Sequence, residues 1–211
     1  LVYELIGSVL DRATVLRGRC LPYGEGITFW PIAEVVRQAA AISEGDSVDE
    51  ARSRIEALLP ESEERAVIRD QLAAAVGLGG SGGGIHETFW AIRRLFESLA
   101  EHRPLVVVLD DIHWAEPSFL DLIEYVEGWS EDSPILLLSV TRPELLEMRQ
   151  GWASAATRSI TIELDPLTAE RSDRLVQNLL DSSSVSEEFR RRVVESAEGN
   201  PLFIEEMLRM L

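Results

Sequence analysis

Leu105-Val106-Val107-Val108-Leu109-Asp110-Asp111-Ile112-His113-Trp114 decides the fold. Five consecutive apolar residues, three of them β-branched, follow Pro104 and end abruptly in two carboxylates. A strand with one wet face alternates apolar and polar residues. A uniformly apolar one needs cover on both faces, which points to a parallel α/β sheet. Ile135–Val140 repeats the pattern between Pro134 and Thr141-Arg142-Pro143. Thr14–Leu16 begins a third strand that runs on through Arg17–Cys20, and Ser159–Leu164 alternates as a fourth would.

Helical periodicity fills the intervals. Pro31 is placed as a first helical residue ahead of the stripe Ile32, Val35, Val36 and Ala39. Ser47 and Glu50 form a capping box before Ile55 and Leu58. Glu61–Val76 continues helically into the glycine tract Gly77–Gly84. A helix from about His86 to Glu101 aligns Phe89, Ile92, Leu95, Phe96 and Leu99, and one opening at Ser118 aligns Phe119, Leu122, Ile123 and Val126. After Pro166 the pattern is purely helical, over Thr168–Leu180, Ser186–Ala197 and Pro201–Leu211. The expected organisation is therefore an α/β domain over residues 1–165 and a small helical subdomain over 166–211.

The 211 residues are 45% hydrophobic, enough for one sizeable core. The net charge of −17 opposes binding to nucleic acid or to an anionic membrane. All 20 basic residues are arginine, so any chemistry that needs a lysine amine is excluded within this sequence. No apolar run is long enough to span a bilayer, and Cys20, the single cysteine, has no disulfide partner. A cytoplasmic setting is expected. Leu1 at the start and an amphipathic run at the finish suggest a piece of a longer polypeptide.

Ligands in open α/β sheets bind at the carboxyl edge of the strands. There Asp110 can hold the water shell of Mg²⁺, and Asp111 can orient or deprotonate a water that attacks a phosphoryl group. The alternative is an acidic turn at a strand end. Arg142, at the tip of the neighbouring strand, suits a terminal phosphate, since a guanidinium matches phosphate geometry; pairing with Asp110 or Asp111 is the other reading. Two adjacent carboxylates resist joint ionisation unless Arg142 swings in to balance them. Gly199-Asn200-Pro201 is explained as helix punctuation: glycine break, asparagine cap, proline at the first position.

Other features are blander. Gly79-Gly80-Ser81-Gly82-Gly83 matches a nucleophile-elbow pattern, but it follows a helix where a strand is required, so it reads as a loop. His113 reads as a hydrogen-bonded structural histidine, Trp90 and Trp114 as core or interface aromatics, and Arg190–Arg192 as a solvated helix face.

Several stretches in order resemble the STAND-type, AAA-like P-loop ATPase modules of bacterial LuxR-type transcription regulators and multidomain adenylate/guanylate cyclases. They are residues 15–31 (VLRGRCLPYGEGITFWP), residues 104–117 (PLVVVLDDIHWAEP), the arginine-tipped strand Ile135–Arg142, Leu164–Leu167, and residues 198–206 (EGNPLFIEE). The resemblance implies a parallel P-loop NTPase-type sheet flanked by helices, then a helical lid. It implies Asp110 as the Mg²⁺-associated acid of a Walker B strand, Asp111 as the catalytic acid and Arg142 as the phosphate sensor. Gly199, Asn200 and Pro201 would lie on the adenine side, with ATP and Mg²⁺ as cofactors of the intact parent.

In that family a Walker A loop ending Gly-Lys-Ser/Thr precedes the segment that Leu1–Leu5 resembles, and a first strand lies between the sensor strand and the last one. Neither lies within these 211 residues, so the chain alone is expected to be inactive. Expected partners are other domains of the same polypeptide: DNA-binding or cyclase, and repeat domains. Two rival readings are a nucleotide-independent protein-interaction module and a metal-dependent hydrolase using Asp110, Asp111 and His113.

Overall fold

In the computed structural model, which describes residues 1–22, 28–80, 82–130, 132–149, 152, 159–180 and 186–210, three strands form one parallel sheet. They are β1 (Thr14–Arg19), β2 (Leu105–Asp110) and β3 (Ile135–Ser139), in the order β1-β2-β3. Thr14 lies opposite Leu105 and Arg19 opposite Asp110, while Leu105 lies opposite Ile135 and Leu109 opposite Ser139. All three carboxyl ends therefore share one edge. The chain divides into two compact units, Leu1–Ser159 and Ile160–Leu211.

The central strand explains its own composition. Leu105, Val107 and Leu109 join Leu16 in the large core on one face, and Val106 and Val108 join Ala13 and Val15 on the other. Every apolar residue of β2 is buried. Removing such side chains from water stabilises the fold by roughly 1.5–3 kcal/mol each. The first face is covered by α2 (Trp30–Ala39), α3 (Val48–Ala57), α4 (Arg65–Ala75), α5 (Ile85–His102) and α6 (Pro117–Trp129). On α5, Phe89, Ile92, Leu95 and Phe96 are buried as their spacing requires. The second face is covered more thinly by α1 (Val2–Val9), through Val2, Ile6 and Val9.

The edge strand β1 is finished by side chains of α2. Gln38 accepts from the Arg17 N–H at 3.0 Å and donates to the Arg17 carbonyl at 2.6 Å. One turn earlier on α2, Glu34 accepts from the Arg19 N–H at 2.7 Å. An amide and a carboxylate thus take up peptide groups that would otherwise offer a template to another chain. Local signals hold elsewhere too. The Ser47–Glu50 capping box caps α3 in both directions, and Pro31 lies in the first turn of α2.

Ser159–Leu164 corrects an expectation. It forms no strand among the described residues, and Ile160 and Ile162 are 85% and 76% exposed. Alternation names the face a strand would bury but supplies no hydrogen-bonding partner, and β3, with one edge free, is laddered to β2 alone. β3 also ends at Ser139, one residue short of the expected Val140, although Val140 still donates to the Leu109 carbonyl at 2.9 Å. A short helix, α7 (Glu144–Met148), follows; the sequence pattern does not suggest it. Ser81, Tyr23–Ile27 and Leu211 lie outside the described residues.

The second unit holds α8 (Ala169–Leu179), α9 (Glu187–Ala197) and α10 (Pro201–Arg209) around Val176, Val193, Ala197 and Ile204. Thr168, Ser186 and Asn200 are their N-caps, each accepting a backbone N–H. Gly199 has φ +79°, and its carbonyl accepts from the Leu167 N–H at 2.8 Å, tying the entry of α8 to the α9–α10 turn. No helix among the described residues is long and apolar enough to cross a membrane.

Candidate functional site

Strand parity sets which side chains meet at the carboxyl edge. Arg17 and Arg19 lie two apart on β1, opposite Val108 and Asp110. In a parallel ladder facing residues point the same way, so both arginines share with Asp110 the sheet face that α1 covers. Asp111 would belong to the other face had the strand continued. Instead its backbone takes the left-handed conformation, φ 57° and ψ 36°, which aspartate tolerates better than most residues. A single turn of 3-10 helix, Ile112–Trp114, follows. The turn is anchored on both neighbours: Cys20 N–H donates to the Asp110 carbonyl at 2.9 Å, and Ile112 N–H to the Val140 carbonyl at 3.1 Å.

The outcome is a one-to-one pairing of two acids with two arginines. Arg17 Nη2 lies 3.0 Å from Asp110 Oδ2. Arg19 Nε and Nη2 reach a single oxygen, Asp111 Oδ2, at 2.8 and 2.7 Å. The Arg17 guanidinium carbon also stands 4.8 Å from the centre of the Tyr3 ring on α1. Hydrogen bonding to Tyr3 and then to Asp110 raises the pKa of Arg17 further, and the Asp111 carboxylate does the same for Arg19. Both guanidiniums stay charged under all ordinary conditions. These residues, with Val2, Gly18, Glu34 and Gln38, line an open cleft of about 660 Å³.

Arg142 lies at the same edge, two residues beyond the last backbone bond of Val140 to β2. Its side chain is exposed and makes no hydrogen bond or ion pair with any described residue. The acid pairing that was the other reading of Arg142 is made by Arg17 and Arg19 of β1 instead. On sequence alone Arg17 and Arg19 are only the tail of a strand. The available signal was their i, i+2 spacing on a strand next to one ending in two acids.

His113 departs from expectation as well. Its ring packs on Trp114, with centroids 5.1 Å apart, and both ring nitrogens are buried without a hydrogen-bond partner among the described residues. No group of three His, Cys, Asp or Glu residues among them is arranged to hold a metal. Asp110 and Asp111 alone are an incomplete set for a cation that prefers six oxygens. They suit Mg²⁺ only where water and phosphate oxygens complete the shell. Gly199, Asn200 and Pro201 lie in the second unit, where Asn200 Oδ1 accepts from the Leu202 N–H at 3.0 Å.

Comparison with known proteins identifies the family. An uncharacterized protein of Rhizobium meliloti (strain 1021) is 28% identical over 174 residues, covering 76% of this chain. The match spans 16% of that protein, so the chain corresponds to about one sixth of its length. A model described as a domain of unknown function matches residues 168–211, the segment of α8 to α10. The model of the AAA ATPase domain matches residues 1–138, from α1 through most of β3. The parallel sheet with its acid-tipped central strand is that of a P-loop NTPase-like α/β fold, and the chain belongs to the AAA ATPase domain family.

Proposed function

We propose that this nucleotide-binding ATPase-type module is the body of a regulatory switch within a larger multidomain protein acting in signal transduction or transcription regulation. The observation that carries the reading is the placement of Asp110 and Asp111 at the carboxyl end of the central strand, with Arg142 at the same edge of β3. Asp110 holds the hydration shell of the nucleotide-associated cation. Asp111, turned out of the strand by its left-handed backbone, accepts a proton from the attacking water. Arg142, which has no partner among the described residues, is free to meet the terminal phosphate. Bound MgATP supplies the phosphoryl group and the charge that orders these groups. By the resemblance, Gly199, Asn200 and Pro201 of the second unit would serve the adenine side.

The lysine-free sequence holds no phosphate-loop lysine. That loop, and the hydroxyl that completes the metal shell, are supplied by polypeptide outside these 211 residues. The chain by itself is therefore inactive, and its partners are other domains of the same cytoplasmic polypeptide, DNA-binding or cyclase and repeat domains. Asp111→Asn in a chain extended to include the loop tests the reading. Hydrolysis should fall by at least about a hundredfold while ATP affinity is retained. Unchanged turnover would contradict the assigned role.

A nucleotide-independent packing module is the second reading, favoured by the ion pairs that already engage both acids. ATP binding by the extended chain separates the two.

A further inference from the structure

Asp110 is not an open carboxylate. Its Oδ2 receives Arg17 Nη2 at 3.0 Å, and both side chains are part-buried. Arg17 is not placed there by chance rotamers of an exposed arginine. Its backbone is pinned through both N–H and carbonyl by Gln38, so the root of the side chain is fixed. Its guanidinium lies against the Tyr3 ring of α1, 4.8 Å from the ring centre. The other arginine of the pair is already committed, since Arg19 directs two nitrogens at Asp111.

We propose that Arg17, held by Tyr3 and Gln38, is a resident counter-ion that competes with a divalent cation for Asp110, so that free cation does not load this edge and cation binding releases Arg17 into the cleft. This rests on the reading of Asp110 as the magnesium-associated acid. The physical reason is exclusion. A hydrated dication and a guanidinium on one carboxylate oxygen would sit within about 5 Å of each other and repel, so one displaces the other. Nucleotide phosphates tip the exchange. They bring the cation with its own anionic ligands, and they offer the released guanidinium an anion in place of Asp110.

Arg17 is thus a positioning residue: it acts through Asp110 and sets when that carboxylate is available. The arrangement also matches the two acids to two arginines while no nucleotide is present.

The test is Mn²⁺ binding to the 211-residue chain, followed by electron paramagnetic resonance of the free ion without any nucleotide. Arg17→Gln should bind Mn²⁺ about two- to fivefold more tightly than wild type, the size expected from removing a part-exposed competing ion pair. Arg17→Lys, which keeps the charge, should stay near wild type. Arg17→Gln/Asp110→Asn should lose the gain. An Arg17→Gln chain that binds no more tightly than wild type overturns the proposal, as does a gain that survives Asp110→Asn. If Arg17→Gln lacks a cooperative melt, Tyr3→Leu on the exposed face of α1 takes its place. The same direction is expected of it, and an unchanged affinity overturns the proposal equally. Because no nucleotide is used, failure here leaves the ATP reading standing, and a module that never binds ATP still reports the competition.

Discussion

Gly18 of β1 lies directly against Pro31 of α2: a Cβ on Gly18 would stand 2.8 Å from the Pro31 carbonyl carbon and 2.9 Å from its Cα. The obstacle is backbone, so no side chain can swing aside to relieve it. α2 covers β1 this closely because glycine is there, and the approach lets Glu34 and Gln38 reach the strand's free peptide groups. Gly18→Ala should destabilise the first unit by about 1–3 kcal/mol, the usual cost of overpacking. Urea denaturation measures it. A loss below about 0.5 kcal/mol would show that α2 is not held as described.

Gly199 is constrained in a different way. Its φ of +79° disfavours any residue with a Cβ, and such a Cβ would also meet the Leu167 backbone, with the amide nitrogen 2.9 Å away. Gly199→Ala should cost more than about 1 kcal/mol through strain and clash together. The damage should fall on α8 and α10, whose junction Gly199 and Leu167 tie. Hydrogen exchange by mass spectrometry should show faster exchange in those helices; unchanged protection there would contradict the account.

Cys20, in the core beside the acid pair, gives a pH signature. Burial first, then the charges of Asp111 and Glu34, push its thiol pKa up to about 12. Iodoacetamide at pH 8 should label the folded chain roughly a thousandfold more slowly than the urea-unfolded chain, where the thiol titrates near 8.5. The linkage sign follows. A folded pKa raised above the unfolded one gives stability that is complete below about pH 8.5 and is lost as pH rises toward 12. Wild type should therefore lose stability relative to Cys20→Ala over that range. Rapid labelling of the folded chain would contradict the burial.

The strands and helices were legible where a single segment carries its own signal. The apolar run of β2, the Ser47–Glu50 box and the stripe on α5 are local facts, and the structure repeats them. Ser159–Leu164 differs because pairing is not local: alternation says which face would be buried, not whether the segment is laddered to a neighbour. The acids of the site were legible as the abrupt end of an apolar strand. Their arginine partners were not, because Arg17 and Arg19 lie more than 90 residues away in sequence. They become partners only through the register that sets Arg19 opposite Asp110. The free ring nitrogens of His113 depend likewise on packing that its local sequence does not encode.

On the proposed reading, this chain carries the acid edge of an ATPase module whose phosphate loop lies outside it. ATP has three to four negative charges, and its counter-charges in such a fold are loop amides, a helix N-terminus and a lysine. This sequence has no lysine, and its net charge of −17 repels the nucleotide. Each charge-assisted hydrogen bond that the loop would add contributes roughly 1.5–3 kcal/mol. Isothermal titration calorimetry with MgATP, run on the 211-residue chain and on a chain extended at Leu1 by its phosphate loop, is the most direct test. The account predicts binding no tighter than about millimolar for the first and at least about a hundredfold tighter for the second, a difference of about 2.7 kcal/mol. Micromolar binding by the 211 residues alone, or no gain on extension, would contradict it.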